Sequence, residues 1–188
     1  MLRQYCQDEG MLATAVGIVA SGENSALPHY KTGGKLIAKG DAVVIDFGAD
    51  YKGYQTDMTR TVAVKSIFGE FKDIYQIVLE ANNRAFEAVR VGATYESIDA
   101  VARNVISDAG YGQYFTHRLG HGIGLDVHEH PYIVKGNQDT IKVGNVFSDE
   151  PGIYIKGRFG IRIEDIIAVT GEGPVRLTDV TREIKIVD

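Results

Sequence analysis

Residues 43–57 read Val43-Val-Ile-Asp46-Phe-Gly48-Ala-Asp50-Tyr-Lys-Gly53-Tyr-Gln-Thr-Asp57: an apolar strand carrying one carboxylate, a turn, and another carboxylate beyond it. β-Branched and aromatic residues favour the strand, and Gly48, Asp50 and Gly53 punctuate a hairpin. Asp46 is the anomaly, because a charge inside an apolar strand is costly unless it is paired or bound to a metal. A turn about Tyr51 and Lys52 sets Asp46 opposite Asp57, with Cβ atoms within about 5.5 Å. Two like charges so placed repel unless a cation lies between them.

The C-terminal half repeats the device. Glu150 and Glu164 lie equally far on either side of Gly157, so a turn there also sets two carboxylates face to face. Arg162 shares a strand face with Glu164 through the two-residue period. Between the hairpins, four of the five histidines fall in the run His117-Arg-Leu-Gly-His121-Gly-Ile-Gly-Leu-Asp-Val-His128-Glu-His130. Imidazole is the commonest metal ligand and the usual acid or base near neutral pH. Gly120, Gly122 and Gly124 disfavour the alternative in which positions 117, 121 and 128 merely share one face of a surface helix. The combined oxygen and imidazole donors suit Mn, Fe, Co or Zn, and two ions sharing a bridging carboxylate fit such a set.

Around these motifs the layout is β-rich, then helical, then β-rich. Residues 11–20, 41–48 and 58–64 read as strands. Phe71, Ile74, Ile77, Val78, Ala81, Ala85 and Val89 recur at helical spacing up to Gly92. Thr94 caps a further helix over 95–109, which Gly110 stops. Strand signals return in KVGNVF, GIYI, GIRIEDIIAV and EIKIV. This order predicts an α+β domain with helices packed on an antiparallel sheet. Each half has a β run, a histidine (His29, His128) and a carboxylate hairpin, so the halves read as structural duplicates. Two helices precede the hairpin of the second half, but only the short Leu2–Glu9 stretch opens the first. The expectation is one domain over residues 1–188 that lacks its first helices.

The composition narrows the function. A chain of 188 residues with 44% hydrophobic and 24% charged residues is that of one ordinary globular domain. A net charge of −5, with no basic stripe, argues against nucleic acid as a partner. No apolar stretch approaches the roughly 20 residues of a membrane span. The single cysteine, Cys6, excludes an internal disulfide and suits a reducing compartment, so the cytoplasm is the expected location.

The motifs Ile45-Asp46-Phe-Gly48, Asp57-Met-Thr-Arg-Thr-Val62, Gly120-His121-Gly-Ile-Gly124, Glu150-Pro-Gly-Ile-Tyr154 and Gly160-Ile-Arg162-Ile-Glu164-Asp165 resemble the catalytic domain of the pita-bread metallopeptidases. The resemblance runs from about Gly10 to Glu183. It implies the creatinase/aminopeptidase-like fold, two pseudo-symmetric halves with helices packed on a curved antiparallel sheet. It also implies five metal ligands, Asp46, Asp57, His121, Glu150 and Glu164, holding two divalent ions with Asp57 and Glu164 bridging. Manganese is the expected metal, with cobalt, zinc or iron as alternatives. Histidines matching His29, His117 and His128 and an arginine matching Arg162 point to the proline-specific branch. That branch (Xaa-Pro dipeptidase or aminopeptidase P) hydrolyses the bond between an N-terminal residue and proline.

By the same resemblance Glu150 is the general base, His128 and His29 stabilise the developing oxyanion and orient the peptide, and His117 and Arg162 fix the proline side. The implied partner is a short peptide with proline in second position, with a homodimer as the assembly to test. A methionine aminopeptidase-like enzyme and a non-catalytic, protein-binding pita-bread remnant are the alternatives. Asp149 departs from the pattern, standing where the family usually has an aliphatic residue, which predicts an added charge beside Glu150. The N-terminal domain usual in proline-specific members is expected to lie outside these 188 residues.

Overall fold

The computed structural model describes residues 2–11 and 17–188. Part of the strand expected over 11–20 therefore lies outside the described residues, and the remainder forms β1 (Ile18–Ser21), after a short helix α1 (Leu2–Asp8). β1 pairs with β2 (Ala42–Phe47), and β2 with β5 (Met58–Val64). The intervening tip is a small hairpin of β3 (Asp50–Tyr51) and β4 (Tyr54–Gln55). Lys52 and Gly53 at its turn have φ of 55° and 88°. Positive φ at both central positions is the type I′ turn, whose twist matches that of the flanking strands. The turn is thus centred one residue later than expected. Asp46 pairs with Thr59 rather than Asp57, which becomes its diagonal neighbour.

α2 (Gly69–Ala88) and α3 (Tyr95–Asp108) follow and pack on each other. Of the expected apolar stripe of α2, Phe71, Ile74, Val78, Ala81 and Ala85 are buried, whereas Ile77 lies at the margin of the buried face. The Thr94 side chain accepts the Ser97 N–H at 3.2 Å, capping α3 as its sequence predicts. Thr94→Ala is expected to cost about 1 kcal/mol in denaturant unfolding. An unchanged midpoint would show that the cap contributes nothing.

The second sheet has the order β12 (Gly173–Arg176), β11 (Asp165–Thr170), β8 (Val146–Asp149), β6 (Gly120–Gly122) and β7 (Glu129–Ile133). A hairpin of β9 (Gly152–Ile155) and β10 (Phe159–Arg162) turns through Gly157, pairing Arg162 with Gly152. Asp165 pairs with Asp149 in the adjoining ladder. Glu150 and Glu164 occupy the step between these ladders, so the second hairpin has the register its spacing predicts. β6 lies in a stretch that showed no strand signal, since glycine is a poor strand former. A Cβ on Gly120 would lie 1.9 Å from the Ser148 carbonyl oxygen, and one on Gly122 2.5 Å from that of His130. The bare glycines let neighbouring strands close up against a strand that carries His121.

One pairing departs from the antiparallel expectation: β13 (Lys185–Val187) returns along β5 in parallel. The halves meet at β5. Thr59 bridges to Glu164, and the Thr61 hydroxyl bonds both the N–H and the carbonyl of Arg162, at 3.0 and 2.9 Å. Beside them, buried Arg60 donates to Asp165 at 2.7 Å and to the carbonyls of Glu164, Val180 and Thr181. No described helix is long and apolar enough to cross a membrane.

Candidate metal centre

A cavity of about 600 Å³ opens where the halves meet. Asp46, Asp57, His121, Glu150 and Glu164 all line it, together with His29, His117, His128 and Arg162. His130 is not among its walls; its exposed ring lies tilted against that of Tyr132, 4.5 Å between centroids.

The buried His121 ring donates from Nδ1 to the Gly122 carbonyl at 3.0 Å, which leaves the Nε2 lone pair free as a ligand. That Nε2 lies 3.4 Å from Glu150 Oε1 and 3.8 Å from Asp57 Oδ2. Asp57, His121 and Glu164 each bring a donor atom within 4.8 Å of the other two. Asp46 is differently engaged, its Oδ2 accepting from Arg162 Nη2 at 2.5 Å. Two hydroxyls orient the acids. Thr59 donates to Glu164 Oε2 at 2.6 Å and accepts from Arg162 Nε at 3.0 Å. Ser148 donates to Glu150 Oε1 at 3.1 Å and accepts the His121 N–H at 3.0 Å.

Burial and mutual repulsion shift these groups. Burial, helped by Asp46 and opposed by Arg162, raises Asp57 to about 7. Burial likewise raises Glu150 to about 7, with Arg162 opposing and Asp57 adding to the effect. Glu164 is held well above the carboxylate range by burial and by Glu150. Burial lowers His121 to about 4, so its ring is neutral at pH 7 and able to ligate. His117 is also lowered to about 4, mainly by burial. Its Nδ1–H donates to the Arg118 carbonyl at 2.7 Å, and its Nε2 accepts from the Tyr154 hydroxyl, which itself accepts from Arg162. A neutral imidazole beside acids that cannot all ionise together is a donor set that fits divalent cations.

Thr59, Ser148, Tyr154 and Arg118, which also lines the cavity, escaped the sequence reading. A signal existed for the first two, each two residues from an acid and so on the same strand face. The Asp149 expectation is corrected: strand alternation turns its side chain away from the cavity towards α2, where Asn82 donates to Oδ2 at 3.2 Å. Burial and neighbouring Asp165 keep that carboxyl protonated far above its usual range.

Were Asp57, Glu150 and Glu164, all with raised titrations, to ligate a divalent cation, binding would have to displace their protons. The apparent affinity for a divalent cation is then expected to fall as the pH drops through about 7, by up to about tenfold per pH unit for each proton released. His121, already neutral, releases none. Calorimetric titration in buffers of different ionisation enthalpy counts those protons, and an affinity independent of pH would contradict the assignment.

The fold and the site together define a class: a pita-bread α+β domain whose central cavity gathers acids and imidazole for divalent metal. The chain belongs to metallopeptidase family M24, which it matches over residues 1–171. It is 48% identical over 167 residues to the Xaa-Pro dipeptidase of Pyrococcus horikoshii, covering 89% of this chain and 48% of that protein. Among solved structures, prolidase from Thermococcus sibiricus superposes with a TM-score of 0.91 at 49% identity, over 93% of this chain and 47% of that one. The X-Pro aminopeptidase from Thermotoga maritima gives 0.94 at 44%, over 99% and 53%. The chain thus spans about half the length of the relatives it matches.

Proposed function

We propose that this domain hydrolyses the peptide bond between an N-terminal residue and a following proline, in a divalent-metal-dependent reaction. The observation that carries the reading is the convergence, in one cavity, of the acid–imidazole donor set with three further histidines and Arg162. Similarity to relatives named for Xaa-Pro substrates favours this branch over methionine aminopeptidase. Asp46, Asp57, His121, Glu150 and Glu164 would hold two ions, with Mn²⁺ the first to test and Co²⁺, Zn²⁺ or Fe²⁺ following. Asp46 would share its carboxylate between Arg162 and the metal.

Bound metal would polarise the scissile carbonyl and lower the pKa of an attacking water. Glu150 would take the proton of that water and return it to the leaving proline nitrogen. Ser148 holds its carboxylate in place. His128, whose ring meets that of His121 edge-on at 4.2 Å, and His29 at the exposed rim steady the developing oxyanion. Tyr154 ties His117 to Arg162 as one wall for the proline ring. The 188 residues act as one catalytic domain, in the cytoplasm by the reading of Cys6, and sedimentation tests for a homodimer.

The test is proline release from an Xaa-Pro dipeptide and a longer Xaa-Pro peptide with added Mn²⁺, with and without chelator. Chelator-sensitive release is the expected result. A folded, metal-loaded protein that releases no proline contradicts the reading. Cleavage of Met-Ala-Ser instead would transfer it to the methionine-specific branch.

A further inference from the structure

We propose that Asp99 and Arg103 of α3, neither of which lines the cavity, are positioning residues for the metal centre, acting through the backbone around Leu119. The proposal rests on the metal-site reading above. Asp99 is 1% exposed and makes a two-pronged pair with Arg103 one helical turn on, at 2.9 and 3.0 Å. The remaining capacity of both side chains is directed at one segment. Asp99 Oδ1 accepts the Leu119 N–H at 3.0 Å. Arg103 donates to the Phe115 carbonyl through Nη1 and to the His117 carbonyl through Nη2, each at 3.0 Å. Its guanidinium also sits 4.3 Å over the Phe115 ring.

The groups bound, the carbonyls of 115 and 117 and the N–H of 119, follow one another at every second residue through a bent segment. The side-chain pair therefore supplies hydrogen-bond partners to that segment just before it enters β6. The Leu119 carbonyl accepts the Glu150 N–H at 2.9 Å. The Leu119 backbone is thus pinned between Asp99 and the backbone of Glu150, with His117 and His121 two residues to either side. Glu80 and Arg84 on α2 show the contrast: an exposed i, i+4 pair with no third hydrogen-bond partner among the described residues. Ion pairs are weak evidence for stability as such. What distinguishes the α3 pair is that its acceptors and donors reach the backbone carrying the site.

The test uses the full chain titrated with Co²⁺, whose visible absorption reports ligand geometry. Asp99→Asn keeps the shape but removes the charge that fixes Arg103. Arg103→Lys keeps a charge but lacks the planar fork that pairs with Asp99 through two nitrogens while reaching two carbonyls. Both are expected to weaken Co²⁺ binding by about 10–100-fold and change its spectrum. In the metal-free protein, Arg103→Lys should speed exchange of the Leu119 amide. Ile106→Val, which trims a buried methyl group from α3, should lower the melting temperature yet leave Co²⁺ affinity unchanged. Wild-type affinity and spectrum in both α3 variants, while His121→Ala loses Co²⁺, would overturn the proposal alone. Wild-type binding by His121→Ala would overturn the metal-site reading and this proposal with it.

Discussion

Glu150→Ala is expected to lower Xaa-Pro hydrolysis by about 10³-fold or more at saturating metal, without unfolding the protein. The size of the effect follows from the two tasks proposed for one carboxylate. Its Oε1 lies 3.4 Å from His121 Nε2, close enough for both to face one ion, and Ser148 holds it at 3.1 Å in the orientation a base would need. The fold should survive because the side chain adds to a crowd of acids. Its removal relieves Glu164, where Glu150 is the largest charged contributor to the raised titration. Metal-free Glu150→Ala should therefore melt no lower than the parent above pH 7, where the parent must ionise a carboxyl held near 7 in the fold and at 4.5 when unfolded. Such a raised acid removes stability as the pH climbs from about 4.5 to about 7, and the full loss persists unchanged above that. A wild-type turnover rate in the variant would remove Glu150 from the mechanism.

Gly120→Ala is expected to destabilise the protein by about 3 kcal/mol or more, a fall of roughly 6–12 °C in melting temperature. The added Cβ would stand 1.9 Å from the Ser148 carbonyl oxygen and 2.7 Å from its carbonyl carbon. Those are backbone atoms of β8, so no rotamer change relieves the clash and β6 has to move outward. His121 moves with β6, and its N–H bond to the Ser148 hydroxyl is strained first. Metal affinity should fall in the folded fraction as well. An alanine variant melting within a degree of the parent would show that β6 and β8 can part here at no cost.

These variants probe places where local signals and tertiary structure part company. The helices were legible because their information is local: a Thr cap, a 3.6-residue stripe and glycine stops. The second hairpin was legible because Gly157 lies midway between Glu150 and Glu164. The first hairpin misled by two residues of register because Lys52, an unusual residue for positive φ, shares the turn with Gly53. β6 is not legible locally because its glycines answer to strands distant in the chain rather than to strand propensity. Asp149 departs from its sequence expectation because strand alternation sends it to the face opposite Glu150.

The chemical inventory of the site, its acids, imidazoles and arginine, was readable from sequence alone, as was the α+β order of the elements that carry it. What only the tertiary structure decided is how those groups divide the work. Asp46 turns to Arg162, while Thr59 orients Glu164 across 105 residues of chain. Leu119 links α3 to the backbone of Glu150. The physical reason is that propensity and periodicity act over a few residues. Desolvation, repulsion between acids and the sharing of a hydroxyl or guanidinium depend on neighbours that become neighbours only when the halves close on each other.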